Sequence, residues 1–436
     1  MHIGIATRHP EHVRFFREPI MDLLDEGIDV HVYAREHGPT VSLLEHYDLP
    51  HSVLASEGTS TTRLVTGHAL YEARLLTAAR RRNASVLASI GGLSTTHLAP
   101  LAGARSVAFV DWQPGRVDGT AIRLANAVPA PLFLDENGPG LPAPRGRRIR
   151  YEGFHELSYL HPDRFDPDRD VLSDLGLDPE QPLFVTGFTN PERRAGLNRP
   201  IGTAVNGALS KHGTILGVHE DTTTSSTAED APPPTFSEDT RTNPRTSSKP
   251  RLRSNSQAHP ISQLHSRSHS TSESVGTSSI SLSAGRSTNE ESANQQSTNQ
   301  QSANQQSANE RSNIQWGTIP PSARPHVIAH ATLCVGDSMT LAAEAALLGT
   351  PAIHLPTGTP TARCAGLRRR ELLTVATDGK HTFDLTESFV ASGSFVNGST
   401  DQEQLLERRD RYLEDAVDVA GFAADILRRE ARRGSS

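Results

Sequence analysis

Lysine is nearly missing from this chain. It occurs at Lys211, Lys249 and Lys380, so almost all of the 43 basic side chains are arginine. Against 50 carboxylates they leave a formal net charge of −7, which argues against nucleic acid as the main partner. The arginine bias fits a GC-rich genome. Cysteine is confined to Cys334 and Cys364, too few for a disulfide scaffold or a cysteine zinc site. No apolar run approaches the roughly 20 residues that a bilayer requires. The opening residues Met1-His2-Ile3-Gly4-Ile5 read directly as a strand, without a signal-peptide pattern. The expectation is a cytoplasmic protein with no integral membrane segment. Its 436 residues allow two domains plus further material.

That further material is easy to locate. From about Asp221 to Asn313 the chain is dominated by Ser, Thr, Asn and Gln, with a near-repeat between Gln295 and Asn309. Large apolar residues are too sparse there to offset the entropy of ordering, so 221–313 is expected to be a disordered insert. A partner-binding segment that folds on contact is the other reading.

The remainder alternates between strand and helix patterns. Ile3–Ala6, Asp29–Tyr33, Ser85–Ser89 and Arg105–Val110 read as strands, interleaved with helices at Glu11–Glu26, Val41–Tyr47 and Ser94–Leu101. A second series runs through Pro182–Thr186, Gly213–Val218, Thr332–Val335 and Pro351–His354. One long amphipathic helix, Asp401–Arg432, ends the pattern. Such alternation implies parallel sheets covered by helices on both faces. The expected architecture is α/β: a Rossmann-like domain over 1–150, and a second over 151–220 and 314–400 that the insert interrupts. A C-terminal helix over 401–436 follows. Ligands of open α/β sheets sit beyond the strand carboxyl ends, where Arg8, Asp111, Thr186 and Asp337 fall.

The most informative stretch is Cys334 to Pro351. An apolar run stops at Gly336-Asp337-Ser338, and an Ala/Leu-rich helix follows, closing at Gly349 with Pro351 beyond. A strand feeding a helix N-terminus through a short polar turn presents N–H groups and a positive dipole end, suited to a diphosphate. Ser338, Met339 and Thr340 would hold that diphosphate through their backbone N–H groups, and Glu344 would reach a ribose hydroxyl. The alternative is an N-capped core helix.

Three segments together resemble a known family: His9-Pro10-Glu11-His12-Val13-Arg14-Phe15-Phe16; the run Tyr151-Glu152-Gly153-Phe154-His155-Glu156 continuing to Phe165; and the Gly336–Pro351 motif. In this order the chain resembles the domain-of-unknown-function 354 family (DUF354), found mainly in archaea. The resemblance covers about 1–220 and 314–375. It implies a GT-B-type fold, two Rossmann-like domains facing a central cleft, related to nucleotide-sugar glycosyltransferases and UDP-N-acetylglucosamine 2-epimerases. Ala6-Thr7-Arg8-His9-Pro10-Glu11 is similar to the Gly-Thr-Arg-Pro-Glu turn of those epimerases, with a His inserted. Val185-Thr186-Gly187 followed by Arg193 and Arg194 is similar to a second turn whose His is missing here. Asp337-Ser338 and Glu344 match their spacing for diphosphate and ribose. Of the three acids that the epimerases need at the matching turns, one survives, as Asp111, which disfavours epimerase chemistry.

Glycosyl transfer needs one base near an acceptor hydroxyl. His12, at the start of the first helix, and Asp111 are the two candidates, each with a local capping role as the alternative. His155 and Glu156 lie at the crossover between domains, where sugar contact competes with hinge packing. His161 reads as a turn residue and His326 as either nucleotide-facing or surface. Arg35 and Arg63 are candidate anion contacts or solvated surface arginines. None of the histidines has metal-ligand spacing, so no metal is expected and no cofactor beyond a nucleotide-sugar donor that is itself substrate. The leading expectation is a metal-independent transferase that passes the sugar of a nucleotide-diphosphate sugar to an unknown acceptor. A nucleotide-sugar epimerase or hydrolase and a non-catalytic binding protein are the alternatives.

Overall fold

The computed structural model describes residues 1–56, 61–113, 115–136, 140–188, 199–218, 314–316, 319–393 and 400–435. The Ser/Thr/Asn/Gln-rich stretch 221–313 lies outside the described residues, as do Arg193, Arg194 and the side chain of Arg63.

The first half runs β1 (His2–Thr7), α1 (Pro10–Asp25), β2 (Asp29–Arg35), α2 (Thr40–His46), β3 (His51–Ala55), α3 (Thr61–Arg81), β4 (Ala84–Ile90), α4 (Leu93–Ala102), β5 (Arg105–Phe109), α5 (Arg116–Leu124), β6 (Ala127–Pro131), α6 (Phe133–Glu136) and β7 (Arg147–Tyr151). Its seven strands pair in the order β3-β2-β1-β4-β5-β6-β7, every pair parallel. The second half runs α7 (Leu157–Leu160), α8 (Asp170–Asp174), β8 (Leu183–Gly187), α9 (Arg199–Leu209), β9 (Thr214–Gly217), β10 (Ile314–Trp316), α10 (Arg324–Ala329), β11 (Leu333–Gly336), α11 (Met339–Leu348), β12 (Ala352–His354), α12 (Ala362–Arg369), β13 (Thr374–Val375) and α13 (Gly379–Ala391). Its sheet has the order β10-β9-β8-β11-β12-β13, again all parallel. Two helices, α14 (Thr400–Asp415) and α15 (Val419–Gly434), complete the chain.

The two expected Rossmann-like halves are therefore present, and their strands are continuously apolar because both faces are covered. β1 and β4 are buried along their whole length. β3, β6, β7, β10 and β13 are not among the strands expected from the sequence, and β6 and β7 escape the pattern for local reasons. In β6, Pro129 and Pro131 lack N–H groups on the side facing β5, where the Pro129 carbonyl still accepts from Val110 N–H at 3.1 Å. Pairing with β5 is correspondingly sparse, whereas β6 pairs with β7 throughout. The edge strand β7 carries Arg147, Arg148 and Arg150, and exposed charge on an edge discourages further pairing.

The single helix expected over Asp401–Arg432 is in fact two. Asp418 breaks it: its carboxylate accepts the Gly421 N–H at 3.1 Å and so starts a new helix. Arg164 grips the same carboxylate at 2.9 Å and that of Asp22 on α1 at 2.9 Å, and Val417 N–H bonds the Glu152 carbonyl at 2.9 Å. The break turns α15 back onto the first half, where it packs on α1, β4 and β5. The chain thus crosses between the halves twice, once through 152–165 and once here.

On α15 the fully buried Glu430 meets Arg105 (2.7 Å), Arg147 (3.1 Å) and Arg433 (2.6 Å). Burial alone would raise its carboxyl, yet the arginines, Arg105 foremost, hold it below the usual carboxylate range. Its stabilising contribution is present above the unfolded-state value and is lost as pH falls through the lower folded-state value. Because the three arginines stay partly hydrated, Glu430→Ala is expected to cost about 1–3 kcal/mol rather than the larger penalty of a wholly buried pair. Urea denaturation near neutral pH and near pH 3 checks this, with the difference between variant and wild type shrinking in acid.

Candidate active site

The sequence His12-Val13-Arg14-Phe15-Phe16 divides α1 between core and cleft. Phe15 and Phe16 are fully buried and meet Phe109 of β5 at ring separations of 5.2 and 5.5 Å, which fixes the helix on its sheet. The turn before them, carrying Glu11 and His12, is left at the carboxyl end of β1. His9 caps it through its backbone, without a side-chain hydrogen bond. Its ring contacts those of His12 (5.2 Å) and His37 (4.8 Å), while Arg8 stands exposed one residue before it.

In the second half, β8 and β11 end on Gly187 and Gly336, and a side chain on Gly336 would run into the Gly187 carbonyl. The close approach brings the Asp337 N–H to Gly187 O at 2.9 Å and delivers the chain straight into α11. Ser338 caps that helix, its Oγ accepting from Leu341 N–H at 3.1 Å, and Gly349 ends it in the left-handed conformation, as the sequence implies. Met339 and Thr340 head the helix.

These pieces meet at a cavity of about 230 Å³ between the carboxyl edges of the two sheets. Glu11, His12 and Asp111 enter from the first half, His155 and Glu156 from the crossover, and Thr340 and Arg363 from the second half. Both sequence candidates for a base, His12 and Asp111, therefore lie at one cavity with His155. Thr340 Oγ1 donates to Glu11 Oε1 across the seam at 2.8 Å. Arg363 Nη1 donates to Glu156 Oε1 at 2.6 Å and lies 3.5 Å from Asp111 Oδ2. His155 Nδ1 is also 3.5 Å from Asp111 Oδ2, and its ring leans on Phe15 at 4.4 Å. Arg363, Glu156 and Glu11 as cavity residues were not legible as a set. Arg363 shares the stretch to Arg370 with three other arginines, and α12, capped by Thr361, carries it to the cavity. The count of acids at motif positions gives one, whereas the fold gathers three carboxylates around this space.

Glu344 is fully buried. Tyr159 OH donates to its Oε1 at 2.9 Å. Arg324 Nε lies 2.8 Å from Oε2, out of line for a hydrogen bond, and Arg14 approaches to 4.0 Å. In this conformation the carboxylate ties the crossover to α10 and α11. His326 accepts from Asp168 N–H at 2.9 Å and packs on Phe165, and His161 closes a turn to Asp163. Arg35 lies over the Tyr71 ring at 5.2 Å.

Burial sets the electrostatics. It holds the imidazole of His12 well below its ordinary value, with His9, Arg8, His155 and His37 adding to the fall, and lowers His155 despite Asp111. Both rings are neutral at pH 7, able to accept a proton only when a negative charge or a departing proton compensates. Burial pushes the Glu156 carboxyl up to about 7 against the pull of Arg363, and Asp111 adds to the rise. Among the described residues no group of three or more His, Cys, Asp or Glu could hold a metal ion, and no helix is long and apolar enough to cross a membrane.

No protein-family model matches this chain, and no curated protein matches it. Solved structures resemble it at low identity. Spinosyn forosaminyltransferase SpnP is 12% identical with a TM-score of 0.56, covering 100% of both chains. The glycosyltransferase VinC, solved in complex with dTDP, is 12% identical with a TM-score of 0.52, covering 99% of this chain and 100% of its own. A glycosyltransferase from Rickettsia africae is 10% identical with a TM-score of 0.53, covering 98% of each. The likeness shows the fold: this chain has the GT-B arrangement of two Rossmann-like domains.

Glu156 supplies a pH test. With its carboxyl raised from 4.5 to about 7, its contribution is fully present below the unfolded-state value and is lost as pH rises through 7. Glu156→Gln is expected to remove that slope, flattening stability between roughly pH 5 and 8 by an amount on the order of 3 kcal/mol. Urea midpoints across that range, compared with wild type, measure it.

Proposed function

We propose that this protein is a glycosyltransferase that binds a nucleotide-diphosphate sugar in the cleft between its two sheets. The observation that carries the reading is the shared cavity: candidate bases on one wall, and Thr340, in the first turn of the Ser338-capped helix α11, on the other. The GT-B fold supports it, and VinC is a glycosyltransferase with dTDP bound. The resemblance to the DUF354 family rests on the three sequence motifs.

In this reading the N–H groups of Met339 and Thr340 and the positive end of α11 hold the diphosphate, with Gly336 and Asp337 shaping the turn beneath it. Arg8 and His155 contact the donor from the opposite side, and Glu344 is the residue for the ribose once the seam opens. The present cavity is smaller than ligand pockets generally are, about 300–1,000 Å³. Donor entry therefore parts the Thr340–Glu11 and Arg363–Glu156 contacts. His12 is buried and resists protonation, so this reading gives the role of base to Asp111. As the acceptor oxygen attacks the anomeric carbon, Asp111 takes its proton and the nucleoside diphosphate leaves toward α11, its charge met by helix N–H groups.

A second reading draws on one observation. Glu11, Asp111 and Glu156 surround the cavity, and burial pushes the Glu156 carboxyl up to about 7. A carboxyl raised in this way can donate a proton while a neighbouring carboxylate accepts one, which supports nucleotide-sugar epimerisation or hydrolysis.

Asp111→Asn separates these outcomes. In transfer, the variant keeps nucleoside-diphosphate binding and loses about 10²–10⁴ in turnover. Isotope-labelled donor assays measure it. Nucleoside diphosphate released by wild type without an acceptor, or solvent deuterium entering the sugar at C2, would favour the second reading. A variant as active as wild type would remove Asp111 from the chemistry.

A further inference from the structure

The charge of the cavity narrows the sugar. Glu11, Asp111 and Glu156 line it, and among the described residues lining it Arg363 is the sole permanent cation. Fully ionised, the lining is short of two positive charges. Arg363 already serves Glu156 Oε1 and Asp111, and Glu11 is engaged by Thr340. Glu156 Oε2 and His155 Nε2 are left buried with no hydrogen-bond partner, in side chains that are 3% and 6% exposed. His12 and His155, neutral at pH 7, do not make up the deficit. Of the three, Glu156 is buried, and a buried carboxylate is costly when ionised unless a cation joins it. A hydroxyl group supplies no such charge.

An ammonium fits on two counts. It carries the missing charge, and Glu156 Oε2, buried and without a hydrogen-bond partner on the lining, is an acceptor for its N–H. We propose that the sugar transferred here carries a free, unacylated amine, whose ammonium is received by Glu156 and Asp111. The inference rests on the reading of the cavity as a sugar subsite.

Calorimetric and thermal-shift titrations of the full chain near pH 7 test it. The probes are D-glucosamine and the 3-amino and 4-amino deoxyglucoses, each set against D-glucose and N-acetyl-D-glucosamine. At least one amino sugar should bind about tenfold or more tightly than its neutral counterparts, the scale of a charge-assisted hydrogen bond. Glu156→Gln should abolish that preference. Because this variant strips Arg363 of a buried partner, Glu11→Gln, on an exposed residue, provides a second reading and should weaken the preference without loss of the fold. Equal affinity for amino and neutral sugars, absence of binding by any of them, or a preference intact in both variants would overturn the inference. UDP and dTDP titrated in parallel keep the two levels apart. If either binds while the amine preference is absent, the inference fails alone; if no nucleotide and no sugar binds, the sugar-nucleotide reading fails with it.

Discussion

One guanidinium holds this molecule at its working seam. Arg363, carried by the second sheet's half, reaches Glu156 on the crossover and Asp111 at the end of β5. Buried charge tolerates little freedom: the ion pairs exist only if strand ends, crossover and α12 arrive at the same place. Thr340 and Glu11 add a second contact across the same seam. The arrangement of parallel sheets makes this meeting available, since every strand in each sheet delivers its carboxyl end to one edge. The residues that follow those ends are therefore the ones that can do chemistry.

The crossovers convert two sheets into one instrument. Through 152–165, Tyr159 ties Glu344 on α11 to the same segment that supplies His155 and Glu156. At 416–418 the helix break sends α15 onto α1 and β4, and Arg164 links Asp418 to Asp22 on α1. The position of α1, and with it His12, is thus set by core aromatics on one side and by the returning chain on the other. Loss of the Glu430 cluster would be felt as loosened packing of α15 rather than as a change at the cavity.

Much of the fold was legible, for identifiable reasons. β1, β4, β8 and β11 are short apolar runs bounded by turn residues, and α11 carries both its Ser338 cap and its Gly349 stop. β6 was hidden by its prolines and β7 by its arginines, because edge and near-edge strands need not look apolar. Asp418 sits inside a periodic helical pattern, and only its capping geometry shows that the helix ends there. At the site, positions just past strand ends pointed to Arg8, His12, Asp111 and the Gly336–Thr340 turn. The pairing of Arg363 with Glu156 was out of reach. More than 200 residues separate them, and nothing in an arginine-rich helix marks which arginine faces inward.

In the proposed function the head of α11 receives a diphosphate. Amide hydrogen exchange of the full chain, with and without saturating UDP or dTDP, addresses it directly. Slowed exchange at the Met339, Thr340 and Leu341 amides, with changes at 111–113 and 155–156 as the seam parts, is the predicted result. Unchanged exchange at α11 with either nucleotide, or protection elsewhere in the chain alone, would contradict it.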